Sequence, residues 1–155
     1  DFFFEAAQLL PRHQFALAGS GWESFDLPSN VTRLGHAYTH QHNELNGSAL
    51  AVLNISRNDM AQTGYSPATR VFEAAAAGAC VITDEWEGIP HFFEPDEEIL
   101  VAGSGLEVAM LLSDLSLNQA VKIGNAARQR VIREHTYRHR ALQVEQIFRH
   151  HLIYS

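Results

Sequence analysis

The sequence has no apolar run long enough to cross a bilayer, a single cysteine and a shortage of positive charge. The first absence removes transmembrane helices. The second removes an internal disulfide, and Cys80, set in the apolar run "GACVI", reads as a small buried hydrophobe suited to a reducing cytoplasm. Lysines and arginines number 11 against 18 aspartates and glutamates, and the formal charge of -7 argues against broad contact with nucleic acid or anionic membrane. That excludes surfaces, not sites, because a local cationic pocket for a small phosphate ligand fits inside an acidic protein. Also lacking at Asp1 are an initiator methionine and the features of a signal peptide, so the expectation is a piece of something longer that carries part of an active site. What is present is ordinary: 155 residues, 46% hydrophobic and 19% charged, describe one globular domain with a real core, small for a complete multi-substrate enzyme.

Along the chain, "FFFEAAQLL" has helical spacing and stops at Pro11. "QFALAGSGW" is a buried strand leaving through a tight turn at Gly19 and Gly21, and "VTRLGHA" repeats the pattern after the linker "LPSN". "THQHNELNG" reads as a short polar helix, and "SALAVLNIS" as a strand covered on both faces. "ACVIT" and "EEILVAG" are further strands, and "GLEVAMLLSDL", "LNQAVKIGNAARQRVIREH" and "YRHRALQVEQIFRHH" are amphipathic helices. Strands alternating with helices predict a Rossmann-like α/β domain, an open parallel sheet with helices on both faces.

Between two of these strands lies "GYSPATRVFEAAAAGAC". Ser66 is a candidate N-cap, Pro67 a first helical residue and Gly78 a terminator, which bounds a helix from Pro67 to about Ala77. Ala68, Val71, Phe72, Ala75 and Ala76 share one face of the helical wheel, small enough for close contact with the sheet. Thr69, Arg70 and Glu73 flank it. First-turn amides and the helix dipole favour a phosphate, Arg70 adds charge-assisted hydrogen bonds, and Glu73 one turn further in can accept from ribose hydroxyls. The plainer alternative is an Arg70/Glu73 surface pair contributing about 0.3 kcal/mol. Spacing leaves both open.

"LNISR" followed by "GYSPATRVFEAAAAGACVITDEWEGIPHFFEPDEEILV" resembles the C-terminal nucleotide-sugar-binding half of GT-B glycosyltransferases of the group-1 kind, and within these the spore-maturation CgeB-like branch. The likeness is specific over Leu50 to Leu112. It implies that Glu73 accepts hydrogen bonds from the donor ribose and that Ser66 to Thr69, including Ala68, receive the diphosphate. It makes Arg70 a candidate for a phosphate or for holding Glu73, and brings the turn at Gly19 and Gly21 close to the nucleotide. Arg57, after the strand "LNIS", falls where ligands of open α/β sheets bind, and with Arg70 is a candidate for stabilising the leaving diphosphate. One position departs from the family: Tyr65 stands where wider group-1 enzymes often carry a glutamate near the donor sugar. The resemblance further implies a missing N-terminal acceptor domain as partner, with the last helix, Tyr137 to about His151, packing toward it, and no obligatory cofactor or metal beside the nucleoside diphosphate sugar.

Other features have plainer readings. His36, His40 and His42 in "HAYTHQH" invite a metal, but no aspartate or cysteine joins them at ligand spacing, and solvated histidines at a turn are the simpler account. Asp84, Glu85 and Glu87 in "TDEWEG" lie at a strand end suited to acid-base chemistry, yet without a visible base or nucleophile they read as a solvated loop. Trp22 and Trp86 read as packing. "AGSGW" lacks the third glycine of a dinucleotide fingerprint. The expectation is a cytoplasmic donor-binding domain of a glycosyltransferase, without nucleic-acid binding. The alternatives are a nucleotide-sugar-binding module without chemistry, which Tyr65 favours, and a protein-interaction domain without ligand.

Overall fold

A computed structural model describes residues 2–56, 60 and 63–153. The elements alternate as the apolar runs require: α1 (Phe2–Leu9), β1 (Phe15–Ala18), β2 (Val31–Gly35), a 3-10 turn (Thr39–Gln41), α2 (His42–Ser48), β3 (Val52–Asn54), α3 (Thr69–Ala76), β4 (Val81–Thr83), α4 (Ile89–Phe92), β5 (Leu100–Val101), α5 (Gly105–Asp114), α6 (Leu117–Glu134) and α7 (Tyr137–Ile153). Every strand pairing is parallel. β1 pairs with β2, Phe15 opposite Val31, and β4 lies between β3 and β5, with Asn54 opposite Thr83 and Thr83 opposite Val101.

Helices cover both faces of the three-stranded ladder, and β4 shows why Val81 and Ile82 are both apolar. Successive side chains of a strand point to opposite faces. Val81 joins a core with Val71, Ala74, Ala75, Phe93, Ile99, Ala127 and Val131, whereas Ile82 joins another with Ala6, Cys80, Leu100, Val108, Ala109 and Ile123. Both faces are therefore buried, as in Rossmann-like α/β domains. Cys80 is one of the packed residues, and burial pushes its thiol up to about 11. This is the inert, small hydrophobe its context predicts.

Three local expectations are corrected. α3 begins at Thr69, not Pro67: Ala68 is its N-cap at φ -64, ψ 137, no side chain caps it, and Ser66 lies outside the helix. Pro67 biases Ser66 toward extended backbone, and Ala68 stays extended too, so the turn starts two residues later. The buried stripe is Val71, Ala74 and Ala75, while Ala76 is exposed, because α6 docks through Ala127 and Val131 on the former three. "SALAVLNIS" contributes only Val52–Asn54 to the ladder, limited by the three residues of β4 it faces. The end of α3 matches expectation: Gly78 has φ +83, its N–H donates to the Ala75 carbonyl at 2.9 Å, and the Ala79 N–H donates to that of Ala74 at 3.1 Å. This double closure satisfies carbonyls the last turn leaves open.

Candidate functional site

α3 lies between parallel neighbours β3 and β4, so it runs back against them, and its first turn stands beside the carboxyl ends of both strands. That is where ligands of open α/β sheets bind. The Val71 N–H donates to the Ala68 carbonyl at 3.0 Å, and among the described residues no side chain takes the amides of Thr69 and Arg70. Thr69, Arg70 and Glu73 are exposed. Among the described residues, Arg70 and Glu73 form no ion pair with each other or with any other group, which removes the surface-pair account. A cation, a carboxylate and uncapped amides thus face outward from one helix start. Arg57 lies outside the described residues.

The loop before α3 is docked on the loop after β4. The Gly88 N–H donates to the Gly64 carbonyl at 2.7 Å, and Gly64 takes the left-handed backbone at φ +75. A Cβ on Gly88 would lie 2.8 Å from that carbonyl oxygen and 3.0 Å from Tyr65 Cδ1, so glycine is what permits the approach. Tyr65 is exposed, donates its hydroxyl to Glu87 Oε1 at 3.2 Å and lies 5.4 Å from the His91 ring. The hydrogen bond to Glu87, then its negative charge, raises the Tyr65 pKa. The phenol therefore stays protonated near neutral pH.

Asp84 departs from the solvated loop expected of this segment, while Glu85 and Glu87 are exposed as expected. Asp84 is 8% exposed, and its Oδ1 accepts the Ser56 N–H at 2.8 Å and the Thr83 hydroxyl at 3.3 Å. The carboxylate thus pins the chain leaving β3. The sequence signal that could have found this role is a carboxylate placed immediately after a buried strand. Trp86 is buried, donates Nε1 to Thr83 Oγ1 at 3.3 Å and packs on Phe92. It is a packing residue, as expected.

The turn after β1 is less open than its glycines suggest. Gly19 and Gly21 have φ +114 and +93, as a tight turn requires. Yet the Gly19 N–H donates to the Gly35 carbonyl at 2.7 Å and the Gly21 N–H to Glu23 Oε2 at 2.8 Å. Arg33 braces the turn through the carbonyls of Trp22 and Phe25, and Trp22 packs on Phe4 and Phe25. Both glycine amides are thus engaged within the protein. Two histidines after β2 pack on Tyr38 instead: His36 meets its ring edge-on at 4.7 Å and His40 stacks on it at 6.0 Å. No three His, Cys, Asp or Glu side chains among the described residues gather so as to hold a metal.

Comparison with known proteins agrees with this architecture. The chain is similar to sucrose-phosphate synthase from Thermosynechococcus elongatus at 22% identity and a TM-score of 0.71, with 99% of this chain matched to 42% of that one. It is also similar to AviGT4, a glycosyltransferase involved in avilamycin A biosynthesis, at 24% identity and a TM-score of 0.56, covering 83% of this chain and 40% of that one. At these identities the likeness is one of fold, and the chain spans about two-fifths of either protein. No curated protein matches it. A family profile described as glycosyl transferase-like matches residues 1–146, so the chain belongs to the glycosyl transferase-like family.

Proposed function

We propose that this chain is the donor-binding part of a GT-B glycosyltransferase of the group-1 kind, in the CgeB-like branch. It binds a nucleoside diphosphate sugar and serves transfer of the sugar to an acceptor held by a second, N-terminal domain. The observation that carries this reading is the start of α3, where Arg70, Glu73 and uncapped amides face outward without partners among the described residues. The amides of Thr69 and Arg70 would hold the diphosphate, with Ser66 and Ala68 beside it on the extended approach, and Glu73 would accept from the ribose. The charge growing on the departing diphosphate would be stabilised by these amides and by Arg70, with Arg57 assigned the same role, and no metal is obligatory. Gly19 and Gly21 would contribute shape rather than amide donors. Tyr65 and Glu87 would face the sugar as a linked phenol and carboxylate.

The last helix supports the second domain. Leu142, Val144, Ile147 and Phe148 of α7 are exposed, an apolar series left uncovered by the described residues. None of the described helices is long and apolar enough to cross a membrane, and we place the protein in the cytoplasm. Nucleic acid is not among the proposed partners.

Titration calorimetry of the chain with UDP, GDP, ADP and dTDP tests the assignment. One diphosphate should bind selectively, Glu73→Gln should weaken it and its nucleoside by about tenfold, and Arg70→Ala should weaken the diphosphate more than the nucleoside. Equal affinities in the parent and both variants would overturn the site. A second reading, a module that binds the donor without chemistry, is favoured by Tyr65 in place of the glutamate. It predicts binding without release of nucleoside diphosphate from any donor when the acceptor-bearing polypeptide is present.

A further inference from the structure

Asn54 is the last residue of β3 and is 6% exposed. Its Nδ2 is buried with no hydrogen-bond partner, the only such side-chain atom among the described residues. Native structures rarely leave a buried donor unmade without a use for it. No neighbouring group among the described residues accepts from it. Thr83, opposite Asn54 in the ladder, accepts from Trp86 Nε1 and donates to Asp84, and Asp84 accepts the Ser56 amide. Nδ2 holds the amide plane by no hydrogen bond. About its last torsion, which for asparagine is broad, the amide can turn to present this donor.

The topology places this residue beside the start of α3, whose amides are also uncapped. Two independent sets of unmade donors therefore meet at one sheet edge, one from the helix backbone and one from a strand side chain. We infer that Asn54 is a ligand-binding residue whose side-chain amide donates to a phosphate oxygen of the nucleoside diphosphate. This rests on the donor-binding reading above. A phosphate oxygen is the acceptor that uncapped amides, an arginine and a neutral N–H donor all recognise without further change of charge. The ligand-free fold would carry the unmet donor as part of its readiness for the anion.

The test is titration of the parent, Asn54→Leu and Asn54→Asp with the diphosphate among UDP, GDP, ADP and dTDP that binds the parent, and with the matching nucleoside. Thermal melts without ligand accompany it. Leucine is nearly isosteric and removes the orphaned donor, so the melting temperature should stay level or rise. Diphosphate affinity should fall about ten- to a hundredfold while nucleoside affinity stays within about twofold. Asn54→Asp replaces the donor with an acceptor in the same shape and should show the same selective loss, which keeps the test decisive if the leucine variant does not fold. Unchanged diphosphate affinity would overturn the inference. So would a nucleoside loss equal to or larger than the diphosphate loss, since Asn54 would then shape the fold or contact the nucleoside. If the parent binds none of the four diphosphates, the donor-binding reading fails first, and this inference with it.

Discussion

Replacing Asp84 with alanine asks how the carboxyl end of the sheet is held. The side chain is 8% exposed and accepts two bonds, from the Ser56 N–H at 2.8 Å and the Thr83 hydroxyl at 3.3 Å. A hydrogen bond to a charged group contributes about 1.5–3 kcal/mol to stability. The longer Thr83 bond adds little, and Ser56 is only half-buried, so water can replace part of the lost contact. Asp84→Ala should therefore cost about 2 kcal/mol, which for a chain of this length lowers the melting temperature by about 4–8 °C. Asp84→Asn keeps an acceptor oxygen for the Ser56 amide without the charge and should recover about half. Because the Ser56 bond fixes the start of the loop from β3 toward α3, the alanine variant should also bind nucleoside diphosphate more weakly well below its melting point. Calorimetric melts and ligand titrations of the two variants decide the matter. A melt within about 1 °C of the parent for Asp84→Ala, or an asparagine variant as damaged as the alanine one, would refute the claim that this carboxylate pins the loop.

His135, between α6 and α7, donates Nε2–H to the Phe92 carbonyl at 3.0 Å and accepts at Nδ1 from Arg140 at 2.8 Å, an arrangement that needs the neutral ring. Burial, then the Arg140 charge, lowers its pKa below 6.5, so the unfolded state binds the extra proton more readily. Its stabilising contribution is complete above about pH 6.5 and is lost as pH falls toward the folded value; denaturant melts at stepped pH should show this slope in the parent and a flatter one in His135→Gln. Gly88→Ala should cost about 1–3 kcal/mol, because the new Cβ would meet the Gly64 carbonyl oxygen at 2.8 Å and drive the Tyr65 loop away. The same variant should increase solvent exposure of Tyr65, and a stability equal to the parent's would show that the two loops do not need their contact.

The alternation of strand and helix was legible because it depends on composition over six or more residues, which tertiary contacts seldom reverse. β4 is the clearest case: Val81 and Ile82 enter one core each, and no polar residue could replace either without entering that core. Boundaries were less legible because they depend on partners. Ser66 and Pro67 carry good local signals for a helix start, yet Ala68 remains extended, and the first helical residue is Thr69. The buried stripe of α3 includes Ala74 instead of Ala76, since the side of the helix that meets α6 is set by docking and not by the count of alanines.

The candidate site was half legible for a related reason. Arg70 and Glu73 stand out within one short segment, but Asp84 acquires its role only from Ser56, 28 residues earlier on the neighbouring strand's exit, and Glu87 only from Tyr65, 22 residues earlier. Acidic residues in two loops do similar work: Glu23, after β1, accepts the Gly21 amide, and after β4 Asp84 accepts the Ser56 amide and Glu87 the Tyr65 hydroxyl. This bears on how a chain of formal charge -7 offers a place for an anion. Carboxylates turned onto donors of their own or a neighbouring loop hold the loops in place, while the first amides of α3 with Arg70 face outward from the same region. The net charge still opposes an arriving diphosphate at long range, and salt screens that repulsion beyond about 10 Å at 0.1 M while sparing short contacts. Binding of a diphosphate here should therefore weaken less with added salt than it would on a basic surface patch, where long-range attraction supplies much of the affinity.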